Sequence, residues 1–143
     1  MSVLFKGGTI VNATGRYLAD VFADGDKIKA IGIDLDNPAD EVVDAKGKYI
    51  LPGAIDPHTH ISMPFMGTHA QDDYETGTIA AACGGITCVV DFDLQQKGET
   101  LLEALERKKA LAQGKVCVDY SLHPAVMDPR PDVIDEVKKA CLE

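Results

Sequence analysis

The chain has 143 residues, 45% hydrophobic and 26% charged, with a net charge of -9. That length gives room for one ordinary globular domain with a real core, and the acidic balance excludes binding to nucleic acid or anionic membrane through a general electrostatic field. No run approaches the ~18 apolar residues of a membrane span, and Met1 to Gly8 is too short and polar for a signal peptide, so a cytoplasmic location is expected.

Residues 1–50 read as all-β. Leu4-Phe5-Lys6 and Thr9-Ile10-Val11 flank Gly7-Gly8, and Asn12 to Gly15 supplies a turn. Two β-like runs, Leu18 to Ala23 and Lys27 to Ile31, flank Asp24-Gly25-Asp26, a good hairpin connection because glycine accepts positive φ. Asp34 to Asp40 reads as a loop, and Val42 to Asp44 and Lys48 to Ile50 resume strand character. Short strands with frequent turn signals predict a small sheet or half of a sandwich.

The pattern changes at Leu51-Pro52-Gly53-Ala54-Ile55-Asp56-Pro57-His58-Thr59-His60. This stretch reads as a buried strand ending in two histidines at i, i+2, a spacing that puts both on one face. Asp72 to Cys83 is helix-compatible, with Asp72 or Asp73 as N-cap and Gly84-Gly85 as the stop. Ile86 to Phe92 is a β-branched buried strand. Glu99 to Gln113 is a helix with an apolar stripe of Leu101, Leu102, Leu105 and Leu111, and Thr100 with Glu103 resembles a capping box. Val116 to His123 reads as a third strand and Pro131 to about Leu142 as a third helix. Alternating β and α predicts parallel strands with right-handed crossovers, in an open sheet or at the start of a (β/α)8 barrel. A complete barrel needs ~250 residues, and the chain ends inside a helical pattern, Lys138 to Glu143. A fragment, or the first stretch of a longer polypeptide, is the expectation.

Cys83, Cys88, Cys117 and Cys141 form no CxxC, and buried free thiols in a reducing compartment are expected. His58 and His60 are the sharper signal. Active sites of parallel α/β folds assemble at the C-terminal strand ends, and imidazole suits zinc and its transition-metal neighbours. Two ligands do not complete a site.

Pro52 to His60 resembles the strand-one signature of the amidohydrolase superfamily. Within it, His58-Thr59-His60-Ile61-Ser62-Met63-Pro64-Phe65-Met66-Gly67-Thr68 is similar to the dihydropyrimidinase and D-hydantoinase family. Gly84 to Phe92, Gln96 to Glu99, Asp119 to His123 and the pattern from Phe5 to Ile28 are similar too, so the resemblance covers essentially the whole chain. It implies an α/β fold: the first three βα units of a (β/α)8 TIM barrel over 51–143, preceded by part of a small β-sandwich domain over 1–50. It also implies two divalent metal ions, zinc, per complete chain, with His58 and His60 on the more buried ion. The other ligands of the family, a carbamylated lysine, two histidines and an aspartate, belong beyond residue 143. Lys138 and Lys139 lie on a helix and take no such role.

The implied reaction is hydrolysis of the cyclic amide of 5,6-dihydropyrimidines or 5-substituted hydantoins to N-carbamoyl amino acids. A metal-bridging hydroxide would attack, since metal lowers the pKa of water from ~15.7 towards ~7. Met63 and Phe65 match lid positions over the substrate; packing against the barrel mouth would account for them equally. His69 is expected to be an exposed loop histidine. Asp91 and His123 are expected to support the strand ends, and Asp56 to orient its own. A homotetramer acting on a small molecule is implied. The alternatives are an allantoinase or dihydroorotase type, disfavoured by Pro64 to Thr68 and Asp91-Phe92, and a non-catalytic scaffold relative, disfavoured by retention of both histidines. The 143 residues alone are expected to be inactive.

Overall fold

The computed structural model describes residues 1–142. The chain divides into two compact units, Met1–Pro52 and the residues from Gly53 onward. Among the described residues no helix is long and apolar enough to cross a membrane.

The first unit is a single sheet of β1 (Ser2–Asn12), β2 (Gly15–Asp24), β3 (Lys27–Gly32), β4 (Glu41–Asp44) and β5 (Tyr49–Ile50). The order is β3-β2-β1-β4, with β5 also on β1. β1 to β3 form an antiparallel meander, while β4 and β5 run parallel to β1. Gly7-Gly8 does not separate two strands as expected. β1 runs through the pair as a bulge, where the register with β2 shifts between Phe5 and Gly8. The bulge has a buried partner: the Gly7 N–H donates to Asp20 Oδ1 at 2.7 Å. Asp20 Oδ2 accepts from the Leu35 N–H at 3.0 Å and pairs with Lys6 Nζ at 2.9 Å. These contacts, led by the Gly7 N–H, hold the Asp20 carboxyl below the usual carboxylate range. Ile10, Ala19 and Val21 form the core, with Phe5 and Ile50 packed against them.

The second unit contains, in order, β6 (Ala54–Thr59), β7 (Pro64–Phe65), β8 (Thr68–His69), α1 (Tyr74–Cys83), β9 (Ile86–Leu94), α2 (Leu101–Ala112), β10 (Asp119–Ala125) and α3 (Pro131–Ala140). β6, β9 and β10 form a parallel sheet in the order β10-β9-β6. The fold is mixed α/β.

Local chemistry explains the helix starts. Asp73 caps α1, accepting from the Thr76 N–H at 2.9 Å, and this bond holds its carboxyl low. Thr100 and Glu103 exchange bonds at 3.2 and 2.9 Å across the first turn of α2, forming the expected capping box. α3 has no side-chain cap and begins on Pro131, whose missing N–H needs none. The expected helical pattern through Glu143 reaches a residue outside the described ones.

Two clusters fill the second unit: Ile61, Tyr74, Val89 and Ala112, and Leu101, Leu105, Val133 and Ala140. Burying each large aliphatic side chain contributes roughly 1.5–3 kcal/mol.

Three further expectations need correction. Leu111 is 40% exposed, and the buried side of α2 is instead Leu101, Ala104, Leu105, Lys108 and Ala112. The helical period carries the core face from Leu101 and Leu105 through position 108, although its residue is a lysine. The third strand begins at Asp119, not Val116. Val116 and Val118 pack into the first cluster, and the Cys117 N–H donates to Thr78 Oγ1 at 3.2 Å rather than to a strand. The cysteines are free, but Cys83, Cys117 and Cys141 are exposed and Cys88 is half-buried. Cys83 closes α1, Cys141 caps α3 and Cys117 lies in the turn before β10, places where side chains border solvent.

Candidate functional site

Alternation along β6 and β9 divides the chemistry of the second unit between two faces. On β9, Val89, Asp91 and Asp93 are buried on one side, where they meet the helices. Val89 packs with Tyr74 and Ala112, Asp91 bonds Tyr74 and Lys108, and Asp93 bonds Arg107. Phe92 points the other way. Its ring lies 4.6 Å from His58, 5.4 Å from His60 and 5.0 Å from His123, between ring centroids.

The two strand-end histidines stand together, ring centroids 5.0 Å apart and nearly perpendicular. Both are exposed. The path of β6 is not regular there. Asp56 pairs with Val89 and Thr59 with Asp91, so β6 carries one extra residue at Pro57-His58. A bulge of this kind re-aims side chains beside functional sites. Pro57 cannot donate to a ladder, its carbonyl meets His123 Nε2 at 3.0 Å, and the His58 N–H donates to Asp56 Oδ1 at 3.2 Å. Asp56 and His123 thus both bond the backbone of the bulge.

After His60 the chain turns through Ser62, at φ 51°, into the β7–β8 hairpin, so His69, expected in a loop, lies on a short strand. The hairpin turn is Met66-Gly67, both at positive φ, 48° and 82°. Two such residues make the tight turn whose twist suits a hairpin, and methionine is a poor occupant of it. His60, Met63, Phe65, Thr68, His69 and Ala70 line a largely apolar cavity of about 440 Å³. It brings Met63 and Phe65 beside one histidine of the pair, with His69 on the same wall.

Behind the histidines lies a dry polar layer. Asp91, fully buried, accepts at Oδ1 from the Ile61 N–H (2.9 Å) and Thr59 Oγ1 (3.2 Å). Its Oδ2 accepts from the Tyr74 hydroxyl (2.8 Å) and pairs with Lys108 Nζ (2.8 Å). Lys108, only 3% exposed, also donates to the Ile61 carbonyl at 2.6 Å. Burial, and then the bond to Asp91, push the Tyr74 hydroxyl far above its usual pKa. Beside this group, Arg107 binds Asp93 at 3.2 Å and Glu99 at 2.9 Å. Burial raises the Asp93 carboxyl against the pull of Arg107, whereas Arg107 holds Glu99 low.

The amidohydrolase family profile matches residues 49–142. The chain belongs to the amidohydrolase family. It is 48% identical over 143 residues to a D-hydantoinase of Geobacillus stearothermophilus, covering 100% of this chain and 30% of that protein. It is 44% identical over 141 residues to a dihydropyrimidinase of Rattus norvegicus, covering 95% of this chain and 27% of the relative. Among solved structures, a dihydropyrimidinase from Brevibacillus agri NCHU1002 superposes with a TM-score of 0.94 at 47% identity, over 99% of this chain and 31% of that one. The chain therefore spans about three tenths of the length of these relatives.

As donors, His58 and His60 suit a divalent transition metal: two imidazoles on one face, with ring centroids 5.0 Å apart and open to solvent. Among the described residues, no group of three or more His, Cys, Asp or Glu could hold an ion. Sequence reasoning missed the layer formed by Thr59, Tyr74 and Lys108, and the aromatic floor of Phe92. One signal was available: Val89, Asp91 and Asp93 alternate, and Lys108 falls seven residues after Leu101 on the core face of α2.

Proposed function

We propose that the protein to which this chain belongs hydrolyses the cyclic amide bond of 5,6-dihydropyrimidines or 5-substituted hydantoins to N-carbamoyl amino acids. The observation that carries this reading is the His58–His60 pair, rings 5.0 Å apart, in a chain related to a D-hydantoinase over its full length. On this reading residues 51–143 are the first three βα units of a (β/α)8 barrel and residues 1–50 are part of a β-sandwich. His58 and His60 are two ligands of a centre holding two divalent ions, zinc by chemistry, and a homotetramer is the working assembly. When bound, the metal polarises the ring carbonyl and makes water a nucleophile at neutral pH.

The chain's own residues orient and enclose. Asp56 and His123 hold the bulge that presents His58, and Phe92 packs beneath both imidazoles. Met63 and Phe65 receive the apolar substituent of the ring. A hydrophobic wall beside a polar reacting centre suits a cyclic amide carrying one apolar group.

The test is elemental analysis together with turnover of dihydrouracil and a 5-substituted hydantoin, made on the protein as its own gene encodes it. About two metals per chain and formation of the N-carbamoyl product are expected, with both lost in His58→Ala. Unchanged metal content and turnover in that variant refute the assignment.

A further inference from the structure

We propose that the buried Asp91–Lys108 pair is a positioning device for His60, fixing the backbone on both sides of that residue so that its imidazole meets a metal ion in one pose. The inference rests on the metal-site reading above. Neither residue would touch metal or substrate; both act through the chain that carries the ligand.

The contacts converge on the two neighbours of His60. Thr59, immediately before it, shares its hydroxyl between Asp91 Oδ1 at 3.2 Å and the Val90 carbonyl at 3.3 Å. Ile61, immediately after it, is held by both of its backbone polar groups: its N–H on Asp91 Oδ1 at 2.9 Å and its carbonyl on Lys108 Nζ at 2.6 Å. The peptide plane between His60 and Ile61 carries that N–H, so Asp91 directly restrains the ψ angle of His60. Side-chain alternation then turns the imidazole away from the buried layer, towards His58 and Phe92. The ladder cannot do this work unaided, because the pairing of β6 with β9 slips by one residue between Asp56 and Thr59 and ends there.

Docking helices on a sheet does not require such a pair. A buried ion pair replaced by apolar residues of similar volume is often neutral or more stable. What charge adds is direction. Asp91 is fully buried and Lys108 3% exposed; Tyr74 supplies a further donor to Asp91 at 2.8 Å, with its ring 5.4 Å from the ammonium. The carboxylate is thus held by Thr59, Ile61, Tyr74 and Lys108 together, and it grips the Ile61 backbone in turn.

The test measures metal in the whole protein, using Zn²⁺ competed against a chelator and the visible absorption bands of the Co²⁺-loaded form. Asp91→Asn, Thr59→Val and His58→Ala are compared with Thr100→Ala, which removes a helix cap remote from the histidines and reports what loss of stability alone does. Asp91→Asn is expected to weaken Zn²⁺ binding by roughly 10–100-fold and to change the Co²⁺ bands while the folded circular dichroism persists. Thr59→Val, which keeps the ion pair, is expected to weaken binding several-fold, and Thr100→Ala to leave affinity and bands unchanged. A folded Asp91→Asn protein with wild-type affinity and bands overturns the inference and leaves the metal reading intact, provided His58→Ala loses metal. If Asp91→Asn does not fold, unchanged affinity and bands in Thr59→Val overturn it instead. Wild-type protein that binds neither ion overturns both readings.

Discussion

Lys108→Met isolates the energetics of the buried layer. Methionine keeps most of the aliphatic volume that lysine packs against Tyr74 and removes only the charge and its donors. The ammonium stands 2.8 Å from Asp91, and the two side chains are 3% and 0% exposed. Removing one member of such a pair strands the other in a dry interior and costs about 3–5 kcal/mol. Three donors remain on the carboxylate, from Thr59, Ile61 and Tyr74, which places the loss near the lower end of that range. The Ile61 carbonyl also loses its bond to Lys108, a further cost of about 1 kcal/mol. A loss of about 4 kcal/mol is a large share of the ~5–15 kcal/mol of a typical domain. Urea unfolding of the metal-free protein reads it without the contribution of ligand binding. The double variant Asp91→Asn/Lys108→Met leaves no stranded charge and is expected to lose clearly less than the sum of the single variants. By contrast, Lys27→Met breaks a 3.5 Å pair whose side chains are 70% and 86% exposed and shifts stability by less than ~0.5 kcal/mol. A Lys108→Met loss below about 1 kcal/mol, or strict additivity in the double variant, refutes the argument that this carboxylate is held dry and charged.

Three further outcomes follow from local geometry. A Cβ at Gly53 would overlap the Thr87 side chain, and Thr87 sits at the extra residue of β9 between its pairings with Ala54 and Ile55; Gly53→Ala is therefore expected to lose about 1–3 kcal/mol in chemical denaturation. Met66 is 90% exposed at φ 48°, so Met66→Asn should gain about 1 kcal/mol by relieving a left-handed conformation, seen as slower amide exchange in the β7–β8 hairpin. Asp20 has its pKa lowered, first by the Gly7 N–H and then by Lys6, so its contribution to stability is present above the ordinary carboxylate value of ~3.9 and lost as pH falls through the lowered one. Asp20→Asn should flatten the acid limb of the stability profile below about pH 4, measured by urea midpoints across that range.

Legibility in the sequence followed how far apart the interacting residues lie. The capping box of Thr100 with Glu103, the Asp73 cap and the hairpin at Gly25 are written in three or four adjacent residues, and each appears where its residues predict. The histidine pair at the end of β6 was legible for the same reason. Asp91 and Lys108 are 17 residues apart on different elements, and Lys108 alone looks like a solvated charge. Only the packing of α2 on β9 brings them to 2.8 Å. The β7–β8 hairpin was hidden because Met66 occupies a turn position that sequence rules assign to Asn, Asp or Gly. The cysteines misled because thiols are usually buried, while Cys83, Cys141 and Cys117 sit at helix ends and in a turn.

The two faces of β6 and β9 place opposite demands on neighbouring residues, and alternation satisfies both. On the proposed reading the two histidines must be open to an ion; both are exposed, yet an open side chain at a strand end beside a bulge is the kind of group that moves. Rigidity has to come from the residues between and after them. Thr59 and Ile61 point into the helix-covered side, where a carboxylate and an ammonium can be fully desolvated and so bind backbone strongly. Placing Asp91 on the outer face would expose it to water and lose that grip. Placing the histidines inside would seal them from the ion and substrate that the proposed function assigns to them. The one-residue step between buried Asp91 and Phe92, which floors the imidazoles, puts the support and the site on opposite sides of a single strand.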